Sequence, residues 1–271
     1  MFLYTFMMRS GICIGENNFF TKFYNSAPIG ITVEGSNTLT RGLIIFGQGL
    51  NKSHPYIFPI FQSIQDNNLD DFKKNFNSLI IDFALNYLKV LNPLASYNPD
   101  KSIERLEIAT LKFSILSNFI AVLGGKIKSK QMISSNMADI LSNIYLGYSL
   151  VWYNHHFSSK SNLFLTQESI NYLMDELEYK MNLIISNYPI NVFKPLLYPI
   201  KNNIKYTNLE NKNKLYKVIL ENKDLTNLFS NDIYYANTVL EKMEKLLKMD
   251  KNSSEYKNLY QDIISVGEFK I

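Results

Sequence analysis

In residues 75–91, apolar side chains recur at Phe76, Leu79, Ile80, Phe83, Ala84, Tyr87 and Leu88. Steps of three, four and one place them along one face of an α-helix. The pattern returns in residues 129–154, with Met137, Ile140, Leu141, Ile144, Tyr145 and Tyr148 in register. Residues 103–127 and 167–186 read the same way, the first broken or bent at Gly124–Gly125 and the second stopping before Pro189. Residues 38–48, 56–64 (after Pro55) and 225–247 complete the set. With 11 glycines and 8 prolines in 271 residues, several of the prolines at segment ends, little interrupts these runs. The expected fold class is therefore all-α, with amphipathic helices packed on one another or on a partner. Residues 8–30 read as an irregular entry broken at Gly11, Gly15 and Pro28. Residues 192–200, interrupted by Pro195 and Pro199, suit either a short helix or a packed loop, and the last twenty residues are polar. No internal repeat is evident.

Charge and reactive side chains exclude several functions. A net charge of +4 attracts polyanions only weakly, and no arginine-rich stripe marks a nucleic-acid surface. Cys13 is the only cysteine, so no internal disulfide forms and a reducing compartment is compatible. It reads as a small buried residue rather than a nucleophile. The opening segment has no basic start, apolar run and small-residue cleavage site in sequence. The nearest approach to a membrane span, residues 113–123, is interrupted by Ser114, Ser117 and Asn118. His54, His155 and His156 offer no metal-ligand spacing, and no Ser–His–Asp signature occurs.

The segment PIGITVEGSNTLTRGLIIFGQG, residues 28–49, resembles the catalytic-base motif of bacterial long-chain acyl-CoA dehydrogenases. In that family an acidic residue, a glycine, a small residue and a polar run lead into a helix. Here these are Glu34, Gly35, Ser36, Asn37 and Thr38, followed by Leu39, Thr40 and Arg41. NKSHPY, residues 51–56, is similar to the same subgroup, which usually has Arg and Cys where this chain has Lys52 and Ser53. A second collinear block, residues 106–152, looks like the extra helical region of that subgroup, most specifically in LGGKIK and ADILSNIYL. The likeness spans about residues 8–250. It implies a remnant of the dehydrogenase C-terminal helical domain over 1–60, an additional helical region over 61–250 and a polar tail over 251–271.

The resemblance implies an FAD-dependent enzyme of fatty-acid β-oxidation that converts an acyl-CoA to a trans-2-enoyl-CoA. Glu34 is then the base that takes the α-proton, after the apolar Ile29, Ile31 and Val33. From pattern alone Glu34 is a carboxylate at a helix entry, and the resemblance reverses that reading. Gly35 and Arg41 match substrate-side positions, although Gly35 equally suits a turn and Arg41 a structural ion pair. Gly11, Ser36, Asn37 and Thr38 match positions against FAD, where the last three equally suit helix capping. His54 falls in the matching H-P-Y element, in a helix-start role. Two departures stand out. The family's glycine pair before the motif is replaced by Met8 and Arg9, leaving only Gly11. The family's N-terminal helical and β domains, which hold most of the flavin and acyl-CoA site, are missing from the sequence, with no dinucleotide fingerprint in their place. The expected partners are acyl-CoA, a separately encoded N-terminal half and a second copy of the chain, with no nucleic acid and no metal. The expected location is cytoplasmic, at most peripheral at the inner membrane. The alternative is a non-catalytic helical module for assembly or membrane-surface docking, or a truncated relic.

Overall fold

The computed structural model describes residues 19–33, 38–91, 102–156, 160–203, 209–223, 227 and 238–264, and no strand occurs among them. The chain divides into two compact units, residues 37–226 and residues 1–36 with 227–271.

The larger unit is built on three long helices, α5 (Ser102–Ala121), α6 (Gln131–His156) and α7 (Lys160–Ser186), each packed against the other two. Helix α6 buries Ile133, Met137, Ile140 and Ile144, and α7 buries Ile170, Met174, Leu177, Met181 and Ile184. These are the i, i+4, i+7 positions of single helical faces, so periodicity alone places the core. The expected register on α6 holds for Met137, Ile140 and Ile144, whereas Tyr145 and Tyr148 are exposed. Close approach of α5 and α6 requires Gly147, where a Cβ would lie 2.9 Å from Leu106 Cδ1.

Polar contacts tie these helices together. Arg105 on α5 donates to Glu178 (3.0 Å) and Asn171 (3.2 Å) on α7. The Tyr188 hydroxyl donates to the Phe119 carbonyl in the last turn of α5, at 2.6 Å. After α7 a short 3₁₀–α–3₁₀ run, residues 191–200 with α8 (Lys194–Leu197) at its centre, realises the packed segment expected there. It is pinned at its exit by Asn182, which accepts from Asn202 N (2.8 Å) and donates to Asn202 O (2.9 Å).

Against this core lie α3 (Ile57–Gln65) and α4 (Leu69–Leu91), preceded by the short α2 (Gly49–Ser53), and α4 packs on α5. Helix α4 starts six residues earlier than its apolar period suggests. Asn68 accepts from Asp71 N at 3.1 Å and donates to the Asp71 carboxylate at 2.7 Å, a reciprocal cap that sets the start. Helix α5 stops where Gly124 adopts φ 52°, a left-handed conformation suited to glycine, and a 3₁₀ turn Gly124–Ser129 follows. Helix α9 (Leu209–Glu221), which periodicity does not reveal, packs on α7.

In the smaller unit, α1 (Phe19–Val33) corrects the irregular entry expected over 8–30 for residues 19–30, since its helix continues through Pro28, while residues 8–18 lie outside the described residues. Proline costs a helix one hydrogen bond but does not forbid it. Helices α10 (Val239–Lys248) and α11 (Ser254–Ile264) pack together. Of the helix expected over 225–247, residues 225–226 and 228–237 lie outside the described residues. The polar tail contains α11, started by Ser253 Oγ accepting from Tyr256 N (3.0 Å) and anchored by buried Ile263.

Candidate functional site

Residues Thr38–Gln48 form a π-helix laid against α6. Such wide windings are rare in proteins and concentrate at functional sites. Three residues fix its position. Phe46 is buried in the core and meets Phe113 edge-on, with ring centroids 6.3 Å apart. Gly42 lies so close to α6 that a Cβ there would come within 2.9 Å of Ser134 Oγ. Arg41 forms an ion pair with Asp139 of α6.

Asp139 also accepts from Lys180 of α7 at 2.6 Å, and Lys180 in turn meets Glu176 at 2.7 Å. Burial alone would raise the Asp139 pKa. The hydrogen bonds and charges of Lys180 and Arg41 outweigh it and hold the carboxyl below its usual range. Burial likewise opposes the charge on Lys180, and the Asp139 and Glu176 carboxylates outweigh it, raising the Lys180 pKa. The network is therefore charged at neutral pH and clamps the π-helix to α6 and α7. Asp139 lies inside ADILSNIYL, as the only acid in a largely apolar helix segment. Its isolation there was the available signal, but periodicity does not name its partner.

His54 joins the next elements. Its Nδ1 accepts from the backbone N–H groups of Tyr56 (3.2 Å) and Ile57 (3.3 Å), so it caps the start of α3. That fixes the proton on Nε2, which donates to Asn118 Oδ1 of α5 at 3.1 Å. Burial lowers the His54 pKa, against the opposing effects of Asn118 and Asp82. The helix-start role expected for His54 is the one it fills. Lys52, beside it, lies 4.6 Å above the Phe58 ring.

Of the site residues named from the sequence, Thr38 and Arg41 lie among the described residues. Glu34, Gly35, Ser36, Asn37 and Gly11 lie outside them. Thr38 opens the π-helix, and the Arg41 guanidinium is paired with Asp139. No group of three or more potential metal ligands occurs among the described residues, and no described helix is long and apolar enough to cross a membrane.

Among the described residues, residues 37–226 form a helical domain whose core carries an ion-pair clamp on the preceding π-helix. The family profile described as acyl-CoA dehydrogenase, C-terminal, bacterial type matches residues 51–268, and the chain belongs to that family. The match begins two residues after the 28–49 motif ends, so it covers Asp139, Lys180 and His54 but not Glu34 or Arg41. No solved structure matches the chain.

Proposed function

We propose that this chain is the C-terminal part of an FAD-dependent long-chain acyl-CoA dehydrogenase of fatty-acid β-oxidation. In this reading it works with flavin-holding domains that these residues do not contain, and Glu34 is the base. Residues 1–60 are the remnant of the dehydrogenase helical domain, 61–250 the additional helical region and 251–271 the tail. The observation that carries the reading is the clamp on Arg41. Arg41 stands seven residues after Glu34 and is held by Asp139, a residue of the family-matched region. A base must be held to within a fraction of an ångström of its proton, and a rigid helical scaffold is the kind of support that demands.

The α-hydrogen of an acyl thioester is weakly acidic. A carboxylate removes it effectively when desolvation has raised its pKa, which the apolar Ile29, Ile31 and Val33 before Glu34 favour. Bound flavin supplies the two-electron oxidant. Gly35 leaves room for the thioester backbone contact, while Gly11, Ser36, Asn37 and Thr38 complete the flavin side. Arg41 belongs to the substrate side.

The test combines the chain with the flavin-holding domains of a bacterial acyl-CoA dehydrogenase and adds a long-chain acyl-CoA without an electron acceptor. Bleaching of the flavin that requires both components supports the reading. Absence of bleaching, with FAD and acyl-CoA both bound, rejects it.

One observation favours a second reading, a helical assembly module. Phe58, Phe61 and Ile64 of α3 and Ile81, Leu85 and Leu88 of α4 are all exposed. Self-association that persists when flavin domains are present in excess, with no flavin chemistry, would establish it.

A further inference from the structure

Helices α2 and α3 and the 3₁₀ turn after α5 enclose a pocket of about 670 Å³. The apolar part of its lining includes Ile57, Phe58, Phe61 and Ile127. Three charged residues stand in its wall, Lys52 of α2, Lys128 of the 3₁₀ turn and Asp66 just past α3. The other polar side chains there are neutral amides, such as Gln62 and Gln65.

The cations of this pocket are not neutralised by the protein. Arg41 and Lys180 share Asp139, and Arg105 meets Glu178, whereas neither Lys52 nor Lys128 pairs with a carboxylate among the described residues. The sequence explains the difference, since residues 35–65 and 108–138 contain no Asp or Glu. The elements around the pocket therefore carry Lys52, Lys126 and Lys128 with only Asp66 to offset them, and the potential over an otherwise apolar recess is positive. Lys52 Nζ lies 4.6 Å over the Phe58 ring, so cation and apolar wall adjoin.

We propose that this pocket binds a single-chain amphiphile with a carboxylate head, its alkyl chain along Ile57, Phe58, Phe61 and Ile127 and its head at Lys52 and Lys128. Two lysines and one aspartate leave a single net positive charge in the wall, which matches a monoanion, and Asp66 opposes a more highly charged head. At roughly 30 Å³ for each small unit of filled space, a ten-carbon carboxylate takes about 360 Å³ and fits, within the usual range of ligand pockets. Both lysines are exposed, so the head keeps part of its hydration and each ion pair is of the surface kind. Burial of the chain then supplies most of the affinity and the lysines select the sign of the head. The inference does not rest on the Glu34 reading, and its test involves no flavin.

The experiment titrates the full chain by calorimetry with sodium decanoate, decyl maltoside and decyltrimethylammonium, each below its micelle concentration. The three share a chain and differ in the charge of a hydrated head. Decanoate should bind saturably at one site per chain and the other two at least several-fold more weakly. The double variant Lys52→Gln with Lys128→Gln should weaken decanoate on the order of tenfold and leave decyl maltoside unchanged. Lys217→Gln, an exposed lysine outside the pocket, should change nothing. Gly125 lines the pocket, has no left-handed φ and offers a Cβ nothing within 4 Å, so Gly125→Trp should fill the space and abolish binding without lowering the melting temperature. The proposal is overturned if decanoate does not saturate, if either other amphiphile binds as tightly, or if the folded double lysine variant or folded Gly125→Trp binds decanoate like the wild type.

Discussion

Arg41 and Asp139, 98 residues apart in sequence, are joined as an ion pair. The pair links the helix that follows the Glu34 motif to the core of the family-matched region. Because Lys180 shares the Asp139 carboxylate, loss of that carboxylate releases two cations at once.

Asp139→Asn is therefore expected to destabilise the chain by on the order of 1–2 kcal/mol, discounted for the partial exposure of Arg41. The Asp139 pKa is depressed in the folded state, so its contribution is complete above about pH 4 and lost as pH falls through the folded value. Urea melts of wild type and variant at pH 7 should differ by this amount and converge at strongly acidic pH.

Gly42→Ala should cost about 1–3 kcal/mol, because the new methyl group meets Ser134 Oγ at 2.9 Å. Ser134 Cβ is 3.8 Å away, so Ser134→Ala removes the clash. The double variant should recover most of the loss. A double-mutant cycle in thermal denaturation measures this coupling, and additivity would show that the π-helix does not pack as described.

His54 acts on stability through its neutral form. Its folded pKa lies below 6.5, so the unfolded chain binds its proton first as pH falls. The contribution is present above about pH 6.5 and is lost as pH drops from there through the folded value. His54→Ala should cost on the order of 1 kcal/mol at pH 8, as lost helix caps do, and less at pH 5. Denaturant midpoints of the two proteins at the two pH values decide the matter.

Tyr188→Phe removes the hydroxyl that satisfies the Phe119 carbonyl and should cost about 1 kcal/mol at neutral pH. Burial pushes the Tyr188 pKa up to about 12. Its hydrogen bond is thus present below about pH 10 and its contribution falls as pH rises from there through the folded value. The variant should lose this part of the alkaline instability, read from melting temperatures between neutral and alkaline pH.

The all-α class and the core of α6 and α7 were legible because burial there follows one helical face, as at Met137, Ile140 and Ile144. Helix ends were less so. Asn68 with Asp71 starts α4 before its apolar stripe begins, and Ser253 starts α11 in a polar stretch. Both are side-chain caps that periodicity does not weigh. The Pro28 break failed because a helix tolerates the loss of one hydrogen bond. Arg41 was legible as a candidate for ligand or ion pair, but Asp139 is brought to it only by the tertiary fold. The Glu34 assignment came from motif resemblance, and Glu34 lies outside the described residues.

The role of Glu34 is tested by the rate of flavin reduction by a long-chain acyl-CoA in the assembled complex, compared between wild type and Glu34→Gln. The amide keeps size and polarity but does not accept the α-proton. The rate should fall by about 10²–10⁴ or more with FAD and acyl-CoA binding retained. A Glu34→Gln complex that reduces flavin at the wild-type rate would contradict this role.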